Sequence, residues 1–375
     1  MESQKKSKKI VFISGTFPPT VCGVGIYSYR LLQELGKDKD LEIHLITSDI
    51  ENLQNISNIE IHKVNKKWNI KTFNQVINII KKVNPDIIHF QHPTLTYQFR
   101  FDTFILGMKL KKNFPRIPKI ITEHELSQAH PIAKIRNLTL LPFFDHIIVT
   151  NTSDFKYLKK FKVFNKKTDI INIFPNNYYD IPTKKGSDFC YIGTIDPKKG
   201  LEYLIDAIKM LKDKNIDIKL DILTNMYPET NYYHKKIIKK IKNLDLKNNI
   251  ILNKPKDGIE IAKKISQSFA VILPFNLGVS ERNGTFLEAI SYGKPVITTK
   301  EKNTSKSIFI NNKNCILIEP RNVEQIVRNI IKLTDNKTLY NQISKGALSL
   351  SENYSIRLVK KRYINLYYSI YTNEY

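Results

Sequence analysis

Short β-branched apolar runs alternate with amphipathic stretches along this chain, and the alternation occurs twice. In the first half the runs are Lys9–Ser14, Leu41–Thr47, Ile59–Val64, Asp86–Gln91, Lys119–Glu123, Asp145–Thr150 and Asp169–Ile173. Between them lie stretches of helical period, such as Gly25–Leu35, Phe73–Val83 and Ser153–Phe161. After a loop carrying Pro175, Asn176, Asn177, Pro182 and Gly186, strands resume at Asp188–Ile192, Ile216–Leu223, Asn249–Leu252, Phe269–Leu273, Pro295–Thr299 and Cys315–Ile318. Apolar runs separated by helices predict parallel sheets built from βαβ units, here two of them. Leu201, Leu204, Ile205, Ile208 and Leu211 share one helical face, with Glu202, Asp206 and Lys209 opposite. The final stretch, Ser355–Tyr371, carries Ile356, Val359, Tyr363, Leu366, Tyr367 and Ile370 at spacings of three and four. Such a stripe needs a partner, and the prediction is that it crosses back to the first domain. The expected division is therefore 1–180 completed by 355–375, and 181–354.

A length of 375 residues suits two domains, and 41% hydrophobic content suits packed cores. The net charge of +25 would fit a polyanionic partner, but the lysines are spread over both halves and no nucleic-acid-binding signature with stacking aromatics accompanies them. Nucleic acid is not an expected partner. Cys22, Cys190 and Cys315 are too few and too far apart for a disulfide framework or a zinc knuckle. Met1–Lys9 is basic but runs straight into a strand, with no secretory h-region, and no run reaches the length of a membrane span. A cytoplasmic location is expected. Phe99–Arg116 mixes Phe101, Phe104, Ile105, Leu106 and Met108 with Lys109, Lys111, Lys112 and Arg116. This composition suits an anionic membrane surface at the inner face, and burial of the same aromatics is the alternative.

Three strand-to-helix loops have the composition of anion sites. Gly15 to Gly25 follows the first strand, and its small residues let backbone N–H groups approach a ligand at a helix N-terminus. Gly193-Thr194-Ile195-Asp196-Pro197-Lys198-Lys199-Gly200 repeats that arrangement in the second half and adds Lys199, whose alternative reading is a solvated surface charge. The richest stretch runs from Leu273 to Ile297, with Ser280, Glu281, Arg282, Gly284 and Thr285 in a loop that opens a short helix bearing Glu288. Glu288 could accept from a ribose diol or stand as a solvated helix carboxylate. The Asp38-Lys39-Asp40 turn sits in polar surroundings and is read as solvated, not as a metal site.

In order and spacing these pieces, with Pro85-Asp86-Ile87-Ile88-His89, Thr122-Glu123-His124-Glu125 and Pro175-Asn176-Asn177, resemble the family 4 glycosyltransferases over nearly the whole length. The resemblance implies the GT-B fold, two Rossmann-like doubly wound parallel-sheet domains facing across a cleft. It also implies transfer of a hexose-type sugar with retention, no metal and no cofactor, from a UDP- or GDP-sugar co-substrate to a glycan or lipid-linked acceptor in cell-envelope polysaccharide synthesis. Carried onto this sequence, it gives His124 and Glu281 catalytic roles. Gly23, Thr194, Lys199, Arg282, Gly284 and Thr285 take the diphosphate, Glu288 the ribose and Ser280 the sugar. Three positions differ from the family pattern: Cys22 replaces the first Gly of a pair, Thr194 a phosphate-binding Arg, and Ser280 the first Glu of a Glu-x7-Glu, with Glu281 one residue away. Another GT-B activity, epimerisation or phosphorolysis, and a non-catalytic polyanion binder are the competing readings.

Overall fold

The computed structural model describes residues 7–97, 100–164, 167–225, 229, 231–301 and 308–371. The chain forms two compact units, one running to Phe174 and taking back the chain from Ile356, the other spanning Pro175–Ser355.

The first unit contains β1 (Lys8–Ile13), α1 (Gly23–Leu35), β2 (Leu41–Ser48), β3 (Ile59–Val64), α2 (Ile70–Val83), β4 (Ile87–His92), α3 (Thr103–Asn113), β5 (Lys119–Glu123), α4 (Pro131–Leu140), β6 (His146–Val149), α5 (Thr152–Leu158) and β7 (Thr168–Ile170). All seven strands run parallel in the order β3-β2-β1-β4-β5-β6-β7. The second unit contains β8 (Phe189–Ile192), α6 (Leu201–Asp213), β9 (Leu220–Leu223), α7 (Tyr232–Asn243), β10 (Ile250–Asn253), α8 (Gly258–Gln267), β11 (Ala270–Leu273), α9 (Gly284–Ser291), β12 (Val296–Thr299), β13 (Ile316–Ile318), α10 (Val323–Asp335) and α11 (Lys337–Glu352). Its six parallel strands follow the order β10-β9-β8-β11-β12-β13. Every strand read from the apolar runs is present. Each sheet reverses direction of growth once, between β1 and β4 in the first and between β8 and β11 in the second, which is the doubly wound order.

Both faces of the first sheet are covered, as parallel strands that read apolar throughout require. Val11, Ile13, Ile46, Ile88 and Ile121 point into a core with Phe73, Val76 and Ile80 of α2 and Leu106 and Leu110 of α3. Ile10, Phe12, Ile43, Leu45 and Ile120 point the other way, toward Leu31, Leu32 and Leu35 of α1. The last helix, α12 (Ile356–Tyr371), closes that second face with Val359, Tyr363, Leu366, Tyr367 and Ile370. Tyr27 and Tyr363 share a 3.0 Å hydroxyl hydrogen bond, and Tyr367 OH lies 2.7 Å from His89 Nδ1. Within α3, Leu106 and Leu110 are buried while Phe101, just before it, and Met108 are about half exposed. No helix among the described residues is long and apolar enough to cross a membrane.

Candidate active site

In an open parallel sheet, loops leaving the carboxyl ends of the two strands at the reversal point diverge and leave room for a ligand. In the second unit these are the loops after β8 and β11, which are the two nominated stretches Gly193–Gly200 and Leu273–Gly284. The fold ties them together: Asn276 N–H donates to Lys198 O at 2.9 Å, and Asn276 Nδ2 to Pro197 O at 2.6 Å. Gly200 sits at φ +70°, and a Cβ there would stand 1.9 Å from Pro274 O, so glycine is what lets the loops touch. Lys199 lies at this junction, half-buried, with Nζ 4.9 Å from the Phe275 ring centroid. Burial pulls its pKa down, Asp196 partly offsets this, and no carboxylate among the described residues forms an ion pair with it. A half-desolvated ammonium that forms no direct ion pair favours an incoming anion. The solvated-surface reading of Lys199 does not fit this placement.

Helix capping sorts the helices in the same way. Asn69, His130, Asn151, Asn231, Asp257, Asn322 and Asn336 cap α2, α4, α5, α7, α8, α10 and α11 with side-chain acceptors. α1, α6 and α9, the three helices entered from the nominated loops, have no side-chain cap; α3 also lacks one. At α9 the Asn283 Oδ1 turns back to accept from Ser280 N–H (2.6 Å) and Ser280 Oγ (3.1 Å) instead of capping. Thr285 N–H therefore has no acceptor among the described residues, and neither do the amides of Gly23, Val24 and Gly25 at the start of α1. Such orphan amides, at the positive end of a helix, bind anions. A Cβ added at Gly23 or at Gly284 would meet nothing within 4 Å, so open space adjoins both helix starts. Arg282 and Glu281 stand half-buried in the loop entering α9, and Thr194 is exposed after β8.

Glu288 is 3% exposed, which rules out the solvated helix carboxylate. Its Oε1 accepts from Asn177 N–H (3.2 Å) and Asn177 Nδ2 (2.8 Å). Oε2 makes no hydrogen bond among the described residues. Burial pushes the carboxyl up to about 7, against the lowering effect of the two Asn177 donors. Asn177, quoted from sequence only as part of a Pro-Asn-Asn run, is thus the residue that fixes Glu288.

In the first unit His124 follows β5, 9% exposed, with Nε2 2.8 Å from Gln91 Oε1 and its ring edge-on to Tyr27. Gln91 Nε2 lies 3.1 Å from His89 Nε2 and can only donate, which sets the direction of the chain. Gln91 Oε1 then accepts from His124 Nε2–H. His89 is held neutral by burial, its pKa lowered to about 3. Beside this network His92 Nδ1 sits 2.7 Å from Glu123 Oε2, both fully buried, and burial raises the Glu123 pKa despite His92. His92 Nε2 has no hydrogen-bond partner among the described residues. Sequence reasoning assigned no role to Gln91, His92 or Glu123. The available signal was polar residues at positions i and i+2 within a strand otherwise buried on both faces.

Residues 21–173 match the family described as Glycosyltransferase Family 4, and residues 180–349 match Glycosyl transferases group 1. The chain belongs to the family 4 type of GT-B glycosyltransferases. A glycosyltransferase of Methanocaldococcus jannaschii, MJ1178, is 26% identical over 356 residues, covering 92% of this chain and 94% of that one. The poly(ribitol-phosphate) alpha-N-acetylglucosaminyltransferase of Staphylococcus aureus is 25% identical over 183 residues, 48% of this chain and 35% of that one. Anabaena HepE in complex with UDP and glucose superposes with a TM-score of 0.73 at 13% identity, over 96% of this glycosyltransferase and all of HepE, and so shows the shared fold.

Proposed function

We propose that this glycosyltransferase moves a hexose-type sugar from a UDP- or GDP-sugar, with retention of anomeric configuration and without a metal, onto a glycan or lipid-linked acceptor in cell-envelope polysaccharide synthesis. The observation that carries the donor assignment is the second unit's pairing of uncapped helix starts with an unpaired, half-buried Lys199 and a buried Glu288 that has one oxygen to spare. Lys199, Arg282, Thr194, Gly23 and the amides at Gly284 and Thr285 are assigned to the diphosphate. The free oxygen of Glu288 accepts from the ribose diol. Ser280 is assigned to the sugar, and His124 and Glu281 are assigned catalytic roles. A UDP complex of HepE, and a polymer acceptor in the name of the Staphylococcus aureus relative, support the donor and acceptor classes.

In the reaction the bond from the anomeric carbon to the phosphate oxygen breaks while the acceptor oxygen bonds to that carbon on the same face. The acceptor's proton passes to the departing phosphate. Positive dipoles and Lys199 stabilise the charge left on the diphosphate, the task that a divalent ion performs in metal-dependent transferases. His124, oriented by its hydrogen bond to Gln91, is the first unit's proposed catalytic residue.

The test is transfer from labelled UDP- and GDP-hexoses in excess chelator, with the anomeric configuration of the product read by NMR. Transfer with retention is expected. Strict dependence on added Mn²⁺ or Mg²⁺, or an inverted product, contradicts the mechanism, and conversion of the donor without any acceptor would instead make the protein an epimerase.

A further inference from the structure

On β2 and β3, away from the loops described above, the parallel register sets His44 beside Glu60 and Ile46 beside His62. Alternation puts Glu42, His44, Glu60 and His62 on one face of the sheet, at its β3 edge and toward the N-terminal ends of the strands. The carboxyl ends of the strands, where the nominated loops depart, are at the other end. His44 Nδ1 lies 3.1 Å from His62 Nε2 and 3.4 Å from a Glu60 carboxylate oxygen, and His62 Nε2 is 3.5 Å from the other Glu60 oxygen.

We propose that His44, His62 and Glu60 bind one divalent transition ion of the zinc class. Zinc held tetrahedrally at about 2.0–2.1 Å sets its ligand atoms about 3.3–3.4 Å apart; the two imidazole nitrogens at 3.1 Å, and each of them to one or other Glu60 oxygen at 3.4 and 3.5 Å, stand near that spacing, and one ligand atom from each residue lies within 4.8 Å of the others. The supporting shell is also present: His44 Nε2 is 3.0 Å from Glu42 Oε1. Donation of Nε2–H to Glu42 fixes the tautomer that turns the Nδ1 lone pair toward His62 and Glu60, the usual carboxylate–histidine–metal relay. That lone pair faces a carboxylate, a repulsive arrangement that a cation at the centre relieves. Glu60 is 65% exposed, which leaves the ion an open side for water, and Glu42 and Glu60 together balance two positive charges. Two imidazoles and one carboxylate suit zinc, cobalt, nickel or copper and disfavour magnesium or calcium. The ion would tie the edge strand β3 to β2. This inference does not rest on the proposed transfer reaction.

Calorimetric titration of Zn²⁺ into metal-stripped full-length protein tests it, with the visible d–d bands of Co²⁺ as the coordination readout. One equivalent should bind, with a rise in Tm and no competition from excess Mg²⁺. Affinity should fall at least tenfold in His62→Ala and in Glu60→Gln, and 10- to 100-fold in Glu42→Gln, the range for a lost carboxylate partner. Glu60→Gln alters an exposed side chain and guards against a folding failure, checked by circular dichroism, while His130→Ala, at an exposed histidine elsewhere, should bind as the wild type. No stoichiometric binding, or binding equal in wild type, His62→Ala and Glu60→Gln, would overturn the proposal and leave only a hydrogen-bonded histidine pair.

Discussion

At the scale of single residues the decisive case is Glu288. From sequence it could be a ribose ligand or a solvated carboxylate, because one sequence does not report burial. The structure buries it, and the resulting rise from 4.5 to about 7 has a thermodynamic consequence. Folded protein holds the Glu288 proton more tightly than unfolded protein, so this contribution to stability is complete below about pH 4.5 and is lost as pH rises through about 7. The loss is on the order of 3 kcal/mol, at about 1.36 kcal/mol per pH unit. Glu288→Gln keeps an oxygen for the Asn177 donors and removes the titration. Urea melts of the ligand-free variant should accordingly show a flatter stability profile between pH 4.5 and 7 and a gain of that order at pH 8; an unchanged profile would mean that Glu288 is not desolvated. Lys199 was legible as a cation next to a glycine loop, but its missing counter-ion was not, since pairing depends on which acids the fold brings near. Gln91 and Asn177 escaped for a similar reason: each acts by orienting another side chain.

At the scale of elements, the apolar runs located every strand among the described residues: central strands buried on both faces, such as β4, β11 and β12, leave a mostly apolar record, and the edge strands β3 and β10 still carry isoleucines. What they left open was which loops lie together. Strand order decides that, and order follows from crossovers that one sequence does not display. Glycines show the difference between packing and function. Gly200→Ala should lower Tm by about 5 °C or more, given the left-handed φ and the clash with Pro274 O, at about 2 kcal/mol or more of strain. Gly284→Ala meets open space, so its Tm should stay within about 2 °C of wild type while UDP binding weakens. Differential scanning calorimetry beside UDP titration separates the two; a Gly284→Ala protein with native UDP affinity would remove α9 from the diphosphate site. The histidine cluster on β2 and β3 went unread because its ligands come from separate strands and meet only through register.

At the scale of the whole molecule, the chain uses one topology twice and returns its last helix to the first unit, a return foreshadowed by the apolar stripe from Ile356 to Ile370. Both sheets present glycine-bearing, uncapped helix starts at their reversal points, and only the second adds Lys199 and Glu288, which is why the donor is assigned there. The most direct test is calorimetric titration of UDP and GDP, in excess chelator, into wild type, Lys199→Ala and Glu288→Gln. One nucleotide should bind the wild type, and each folded variant should bind it roughly tenfold more weakly or worse, the worth of one charge-assisted hydrogen bond. Equal affinity in all three proteins would contradict the account.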